Sequence, residues 1–454
     1  MSPELLFNIV VFTGAVITIL IARARFGTWL TTGLLYSAGW IGTVVFYQYL
    51  NLVLPEGYEI PVSSFEFGAK LVFWGYVGVI VGHLFFGPPK VRYREFYNYF
   101  SDIGRFLDKY YLWICGAVFA LGFVALVEKV GSVGLDIFTL ADIRQEHVQS
   151  SFGFFQRFSI YGGIILGLFV VLSAIDDNIK ERVNVRRIVA IIIALLPLAL
   201  SKGSRQEFMT PVISYALTSF LVIQIRLLSG HAIKWKLMSR MYAKFLPLFL
   251  CLLFVFTIYG QLRSVGSKAM GGQFTLFSLA DAPLQLSVSI SSWMASSFYS
   301  VGPITEFEDV TFPRMHGRIY FEPIFKIPTK LGLIQDNGVL IYYAREAAFN
   351  KFNTAIIAFT PGTMGKVLTR EVGRDLAPYF GALAMFLAVA VSNRWSRNSI
   401  LGFTIVSLFT AQALWSFQSL RGFSMIVVWQ LVFAAIFTYW YKRFRRNRGG
   451  STTR

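Results

Sequence analysis

Arg205, Arg263 and Arg421 are far apart in the chain, yet each belongs to a short polar turn beside an apolar run of membrane length. The turns read Lys202-Gly203-Ser204-Arg205-Gln206-Glu207, Tyr259-Gly260-Gln261-Leu262-Arg263 and Ser419-Leu420-Arg421-Gly422. A guanidinium offers a rigid fork of donors that grips a phosphate oxygen pair, and a lysine such as Lys202 adds a point charge. Free amides in a Gly-Ser turn suit the same ligand. The chemistry open to such a set is to hold a phosphate-type anion and to stabilise the charge it gains on leaving. The alternative for each cation is an interfacial anchor that snorkels to bulk headgroups.

A proton acceptor would be needed beside such a clamp. Glu207, two residues past Arg205, is one candidate, and His316 is the other. His316 lies in Pro313-Arg314-Met315-His316-Gly317-Arg318, the densest cationic cluster of a long polar insert, residues 261–375. It reads either as a general base near neutral pH or as a hydrogen-bonded surface residue. Arg314 or Arg318 is expected to reach the anion, beneath an insert that folds over it with at least one short helix. No HExxH, CxxC, GxSxG or phosphate-loop pattern occurs, and no His/carboxylate set has metal-ligand spacing, so neither a metal nor a cofactor is expected. Cys115 and Cys251 sit in apolar runs, which argues against a disulfide framework.

The elements that must position these residues are membrane helices. Of 454 residues 55% are hydrophobic, 17% aromatic and only 15% charged, where soluble domains run near a quarter charged. A span needs about 20 apolar residues. Candidate spans are 4–22, 28–50, 67–87, 111–127, 159–175, 188–201, 208–225, 245–260, 377–392, 399–417 and 421–441. Ile188–Ser201 reaches only about 21 Å at 1.5 Å per residue, so the Lys202–Glu207 turn sinks toward headgroup depth or the bilayer thins there. The first run, with no basic residue before it, is expected to be retained as a helix rather than cleaved as a signal. The expected fold class is therefore an all-α polytopic membrane protein, with about eleven transmembrane helices and one large external loop. It is read as one membrane domain, residues 1–454, that carries the 261–375 insert.

The net charge of +18 would suit a nucleic-acid binder, but its distribution is topological. With Arg23 and Arg25 inside, alternate short segments hold 24 of the 42 basic residues, whereas the connection 51–66 carries Glu56, Glu59 and Glu66. That bias places the N-terminus and the insert outside and the C-terminus in the cytoplasm, and it excludes nucleic acid as a partner. The Arg-rich tail is expected to be a solvated membrane-surface anchor. The connection 128–158 is expected to hold a short amphipathic surface helix with a packing role, and 355–361 to be a re-entrant or interfacial element.

The order of these features resembles the Wzy-type polymerases of O-antigen and enterobacterial-common-antigen repeat units. The matching pieces are Val133-Gly134-Leu135-Asp136-Ile137-Phe138 leading to Phe154-Phe155-Gln156-Arg157-Phe158, the Gly203-Ser204-Arg205 turn, Tyr259–Arg263, the long loop after it, and Leu420-Arg421-Gly422. Some members carry a strict arginine-to-glycine spacing, whereas here the residue eleven past Arg205 is Ala216.

The resemblance implies a GT-C-like membrane glycosyltransferase fold of the O-antigen polymerase/ligase type. It also implies polyprenyl-pyrophosphate-linked (undecaprenyl) oligosaccharides as substrates, without a nucleotide sugar. The expected location is the outer face of the bacterial inner membrane, in polysaccharide biosynthesis of the lipopolysaccharide kind. Membrane lipids, a chain-length regulator and a flippase would be the other partners. Arg205, Arg263 and Arg421 would then clamp pyrophosphate, with Lys202, Arg314 and Arg318 nearby. Tyr299, Tyr320, Tyr342 and Tyr343 would either pack or offer stacking faces to sugars. The alternatives are a ligase-type glycan transferase, which uses the same clamp on another acceptor, and a polysaccharide or lipid transporter. A transporter would carry mid-span charges and repeat symmetry. The topology predicts outside labelling of a cysteine placed at Ser264 and inside labelling of one at Ser239; the reverse pattern would sink it.

Overall fold

The structure is a computed structural model that describes residues 1–53, 59–89, 93–133, 190–191, 193–197, 200, 217, 220–230, 287–288, 291, 295, 298–299, 301–311, 363–417 and 425–449. In chain order the helices are α1 (Pro3–Phe26), α2 (Thr32–Val53), α3 (Val62–Phe85), α4 (Tyr93–Val133), α5 (Val301–Thr311), α6 (Thr363–Val372), α7 (Ala377–Arg394), α8 (Ile400–Trp415) and α9 (Met425–Gly449). No strand occurs among the described residues. Three segments, Pro3–Phe26, Val62–Phe85 and Lys109–Glu128, are long and apolar enough to cross a membrane. A fourth is added if α6 and α7, which meet at 115°, form one bent span. The expected spans 159–175 and 245–260 lie outside the described residues, as do 128–158 beyond the end of α4 and the element at 355–361.

One compact unit comprises Met1–Val91 and Ile290–Ala435. Its local chemistry is readable at the helix ends. Ser2 Oγ accepts the Leu5 amide at 3.2 Å, Pro3 opens α1, and Gly27 closes it at φ 68° with its amide on the Arg23 carbonyl. Ser399 caps α8 in the same way, accepting the Gly402 amide at 3.1 Å. Along α1, Phe7, Val11, Ala15, Thr18 and Ala22 are buried, while Leu5, Ile9, Phe12, Val16 and Leu20 face away from the core. An apolar face of that size on the outside of a bundle suits lipid, not water.

α3 is the centre of this unit, packing on α1, α7 and α5. Its glycines make that possible. A Cβ on Gly78 would collide with the Ala382 carbonyl of α7, and one on Gly82 would press on Val389. Gly78-x-x-x-Gly82 is the small-residue spacing that lets two membrane helices meet backbone to backbone. Three residues before Gly78, Gly75 receives the hydroxyl end of the Tyr36 ring of α2. The tyrosine hydroxyls that enter this apolar interior donate to helix carbonyls, Tyr36 to Val72 at 3.3 Å and Tyr76 to Val11 at 3.1 Å.

The other unit comprises Arg92–Ser289 and Ile436–Arg454. α4 runs for 41 residues, about 62 Å at 1.5 Å per residue, so the helix begins well before the expected span 111–127 and includes the basic stretch from Arg94 to Lys109. The reason is periodicity: Phe96, Phe100, Ile103 and Leu107 recur at helical spacing and are all buried, whereas Arg94, Arg105 and Lys109 point outward. α9 likewise continues through Lys442, Arg443 and Arg445 to Gly449. Phe106 contacts Phe437, Tyr441 and Phe444, so this part of the basic tail is a helix packed on α4, with Lys442, Arg443 and Arg445 exposed.

The glycine contacts make a paired prediction. Gly78→Ala pushes α3 off α7 and should cost about 1–3 kcal/mol, the range for overpacking. The same change at Gly116 on α4, where a Cβ meets nothing within 4 Å, should be neutral or slightly stabilising. Thermal unfolding of the purified variants in one detergent separates the two; equal melting points would refute the close-contact account.

Candidate functional site

Lys202, Arg205, Glu207, Arg263, Arg314, His316, Arg318 and Arg421 lie outside the described residues, as do Tyr320, Tyr342 and Tyr343. What the structure does describe is the framework on either side of several of them. α5 and α6 belong to the 261–375 insert, which thus holds two short helices, and Phe417 stands four residues before Arg421.

The insert is rooted in the first unit at the end where α1 begins and α2 finishes. Phe298 is fully buried there. Its ring stacks on Phe7 at 4.4 Å, with Phe65 at 5.4 Å, Tyr47 at 6.3 Å and Trp40 at 6.5 Å around it. Offset and edge-on rings at these separations attract beyond simple burial. Next to the knot, Ser64 Oγ donates to the Tyr299 carbonyl at 2.9 Å and accepts the Gly302 amide at 3.0 Å. One hydroxyl thereby satisfies two backbone groups at the start of α5. Above the knot, Glu4 Oε1 lies 3.1 Å from Tyr47 Oη and 2.9 Å from Gln48 Nε2, and Asn8 Oδ1 lies 3.0 Å from the same Tyr47 oxygen.

The other end of the insert is held by an elbow. Gly373 adopts φ 99° after α6, a left-handed conformation that favours glycine. Its amide bonds to the Thr369 carbonyl at 2.8 Å, and the Ala377 amide then bonds to Gly373 at 2.9 Å to start α7. Arg374 in the elbow is gripped by α5. Asp309 Oδ1 accepts its backbone amide at 2.8 Å, Glu306 Oε1 lies 3.1 Å from its guanidinium, and the guanidinium sits 5.4 Å over the Phe67 ring of α3. At the start of α6 the Met364 amide donates to the Ser416 carbonyl at 2.9 Å, and Ser416 Oγ accepts Trp40 Nε1 at 3.1 Å. The insert is therefore tied to α2, α3, α7 and the last turn of α8.

The opposite end of this unit holds a different polar group. Thr32 Oγ1 and Ser392 Oγ are 2.7 Å apart, and Arg397 Nη2 donates to the Ser392 carbonyl at 2.6 Å. The loop charges of the sequence reading included Arg397, but the side chain is only 1% exposed. It folds back to satisfy a carbonyl at the end of α7, and burial pulls its pKa down to about 9, still protonated at neutral pH. His83 is buried beside Phe26 at 5.2 Å and close to Gly33, where Thr18 also converges. Arg25 donates to the Leu84 carbonyl at 2.8 Å and Arg394 lies 5.6 Å over Phe86. The two ends thus differ in charge. Arg23, Arg25, Arg394 and Arg397 mark one; Glu4, Glu306 and Asp309, with Arg374, mark the other.

Among the described residues neither end presents a nucleophile hydrogen-bonded to a base. Among the described residues no group of three His, Cys, Asp or Glu side chains could hold a metal ion. Comparison with protein-family models, curated proteins and solved structures returns no match. What the described residues define is an all-helical protein with three or four apolar helices able to cross a membrane and, within the first unit, a polar insert seated on one end of that unit's helices.

The elbow generates a local prediction. Asp309→Ala leaves the Arg374 amide without its acceptor and should speed hydrogen exchange there roughly ten- to a hundredfold, the equivalent of a lost buried hydrogen bond. Glu306→Gln, at a half-exposed ion pair, should change exchange little. Exchange mass spectrometry on peptides across 373–377 reads both; wild-type rates in D309A would refute the lock.

Proposed function

We propose that this protein is a membrane glycosyltransferase that joins polyprenyl-pyrophosphate-linked oligosaccharide repeat units on the outer face of the plasma membrane. The observation that carries the proposal is the seating of the insert. Its α6 end is bonded to Ser416 at the last turn of α8, immediately before the Ser419-Leu420-Arg421 turn. An insert held there is suited to cap a clamp that includes Arg421. The charge contrast between the two ends of the unit favours the orientation with the insert outside, since cations gather at the cytoplasmic side. The reading includes eleven spans in a GT-C-like arrangement.

In this mechanism Arg205, Arg263 and Arg421 converge on one cavity open to the outer leaflet, with Lys202, Arg314 and Arg318 at its rim. The acceptor sugar hydroxyl attacks the anomeric carbon of the donor, its proton passes to Glu207 or His316, and the glycosyl–phosphate bond breaks. Polyprenyl pyrophosphate leaves with the bonding electrons. Its oxygens gain charge as the bond stretches, so fixed guanidinium groups stabilise the transition state more than the ground state.

Removal of one such donor typically costs about 10²–10³ in rate. Ala variants at Arg205, Arg263 and Arg421 should each lose polymer to that extent, and Lys should rescue poorly because it lacks the fork. Gel analysis of surface glycans reads the outcome and separates the rival activity. Glycans capped with a single repeat unit in a null strain mark a polymerase, while bare acceptor lipid with accumulated polymer marks a ligase. Normal polymer in all three variants would return the arginines to headgroup anchors.

A further inference from the structure

In the second unit one carboxylate gathers two arginines from different helices. Asp102 Oδ1 accepts Arg105 Nη2 at 2.8 Å within α4, and Asp102 Oδ2 lies 3.9 Å from Arg445 Nη2 of α9. The arginine side chains stay 66% and 68% exposed. Each guanidinium has five N–H donors, so most of them face outward from a joint that has already oriented the fork. Exposed ion pairs contribute little to stability, and fold stability alone gives weak reason to bring two cations to one acid.

The joint beneath is rigid and aromatic. Phe106 lies 4.8 Å from Phe444, and Tyr110 lies 5.8 Å from the same ring. Lys109 rides over the Tyr110 and Phe444 rings at 5.4 and 5.9 Å. Lys442 and Arg443 are exposed in the adjoining turn, and α9 has no acidic residue along its length. On the α4 side the described acid that faces them is Asp102, with Glu95 two turns earlier.

Depth comes from the neighbouring residues. Leu112 and Trp113 on α4, and Tyr439 and Trp440 on α9, are all strongly exposed. Exposed Trp and Tyr flanking an apolar span mark the boundary between hydrocarbon and headgroups. Arg445 lies five residues past Trp440, about 7.5 Å along the helix, and Lys109 lies four before Trp113, about 6 Å. A headgroup layer is about 5–7 Å deep on each side of a bilayer. Arg445 and Lys109, with Lys442 and Arg443 nearer still to Trp440, therefore lie at phosphate depth, next to large apolar side chains that an acyl chain can cover. Arg105, eight residues before Trp113 and about 12 Å along the helix, is held toward Arg445 by the Asp102 carboxylate they share.

We propose that the Asp102 joint of α4 and α9 is a binding site for an anionic phospholipid, whose phosphate is held by Arg105 and Arg445. The neighbouring Lys109, Lys442 and Arg443 disfavour the cationic headgroup of phosphatidylcholine. A free phosphate lacks the chains that would lie against Trp113 and Trp440.

The experiment is native mass spectrometry of the full-length protein in detergent, with phosphatidylglycerol or phosphatidylcholine titrated in. Each basic residue near an anionic surface contributes about a factor of five, so R105Q/R445Q should weaken phosphatidylglycerol binding roughly 30-fold. The charge-matched K90Q/R94Q variant, fifteen and eleven residues before Arg105 in the chain, should keep wild-type affinity to within a few-fold. Equal wild-type affinity for the two lipids, or equal loss in both double variants, would overturn the site. Competition by millimolar inorganic phosphate would assign the joint to a free anion and overturn the lipid. Should R105Q/R445Q not fold, R105K/R445K carries the test: several-fold weaker binding supports the fork, and wild-type binding overturns it.

Discussion

The first unit depends on one contact without side chains, the approach of Gly78 on α3 to the Ala382 carbonyl of α7. Lipid tails are as apolar as leucine, so burial alone gives membrane helices little reason to associate. Close van der Waals packing supplies the attraction instead, and only glycine permits it at this distance. With α3 fixed on α7, its other faces are free to take Tyr36 at Gly75 and the ring of Phe298 at Gly68. The bundle is arranged around a helix whose own side chains are small where its neighbours are large.

The same constraint explains how polar groups are distributed. Within the bundle, hydroxyls return to nearby helix carbonyls, as Ser37 does to Gly33 and Thr43 to Gly39. Charges are held at the two ends, where each has a defined duty: Arg397 closes a carbonyl at the end of α7, and Asp309 holds the amide of an elbow that turns by 115°.

Much of this was legible in the sequence. Apolar runs of span length located α1, α3, α7 and α8 to within a few residues, because hydropathy depends on composition rather than on partners. The first half of α4 was hidden, since Arg94, Arg105 and Lys109 made it look like a connection; the signal was there in Phe96, Phe100, Ile103 and Leu107. The Gly78-x-x-x-Gly82 spacing was equally present and was missed. Sequence places Arg397 only as one of the basic residues of an inside segment, because burial of an arginine depends on a carbonyl that only folding places beside it. Likewise nothing local marks Phe298 as a core residue; its partners are Phe7, Trp40, Tyr47 and Phe65, far away in the chain. Arg205, Arg263 and Arg421 of the proposed clamp lie outside the described residues.

The rooting of the insert has a consequence for how the protein is made. Trp40 and Ser416, which are bonded to each other, are separated by 376 positions. At about 5–20 residues per second a ribosome takes roughly 20–75 s to cover that distance. From the completion of α3 until residue 298 and then α7 are made, α1, α2 and α3 stand with the seat of Phe298 empty and the glycine face of α3 unpartnered. The N-terminal helices must therefore wait as a half-built receptor for the C-terminal ones. The quality-control machinery of the membrane meets that waiting state on every molecule synthesised.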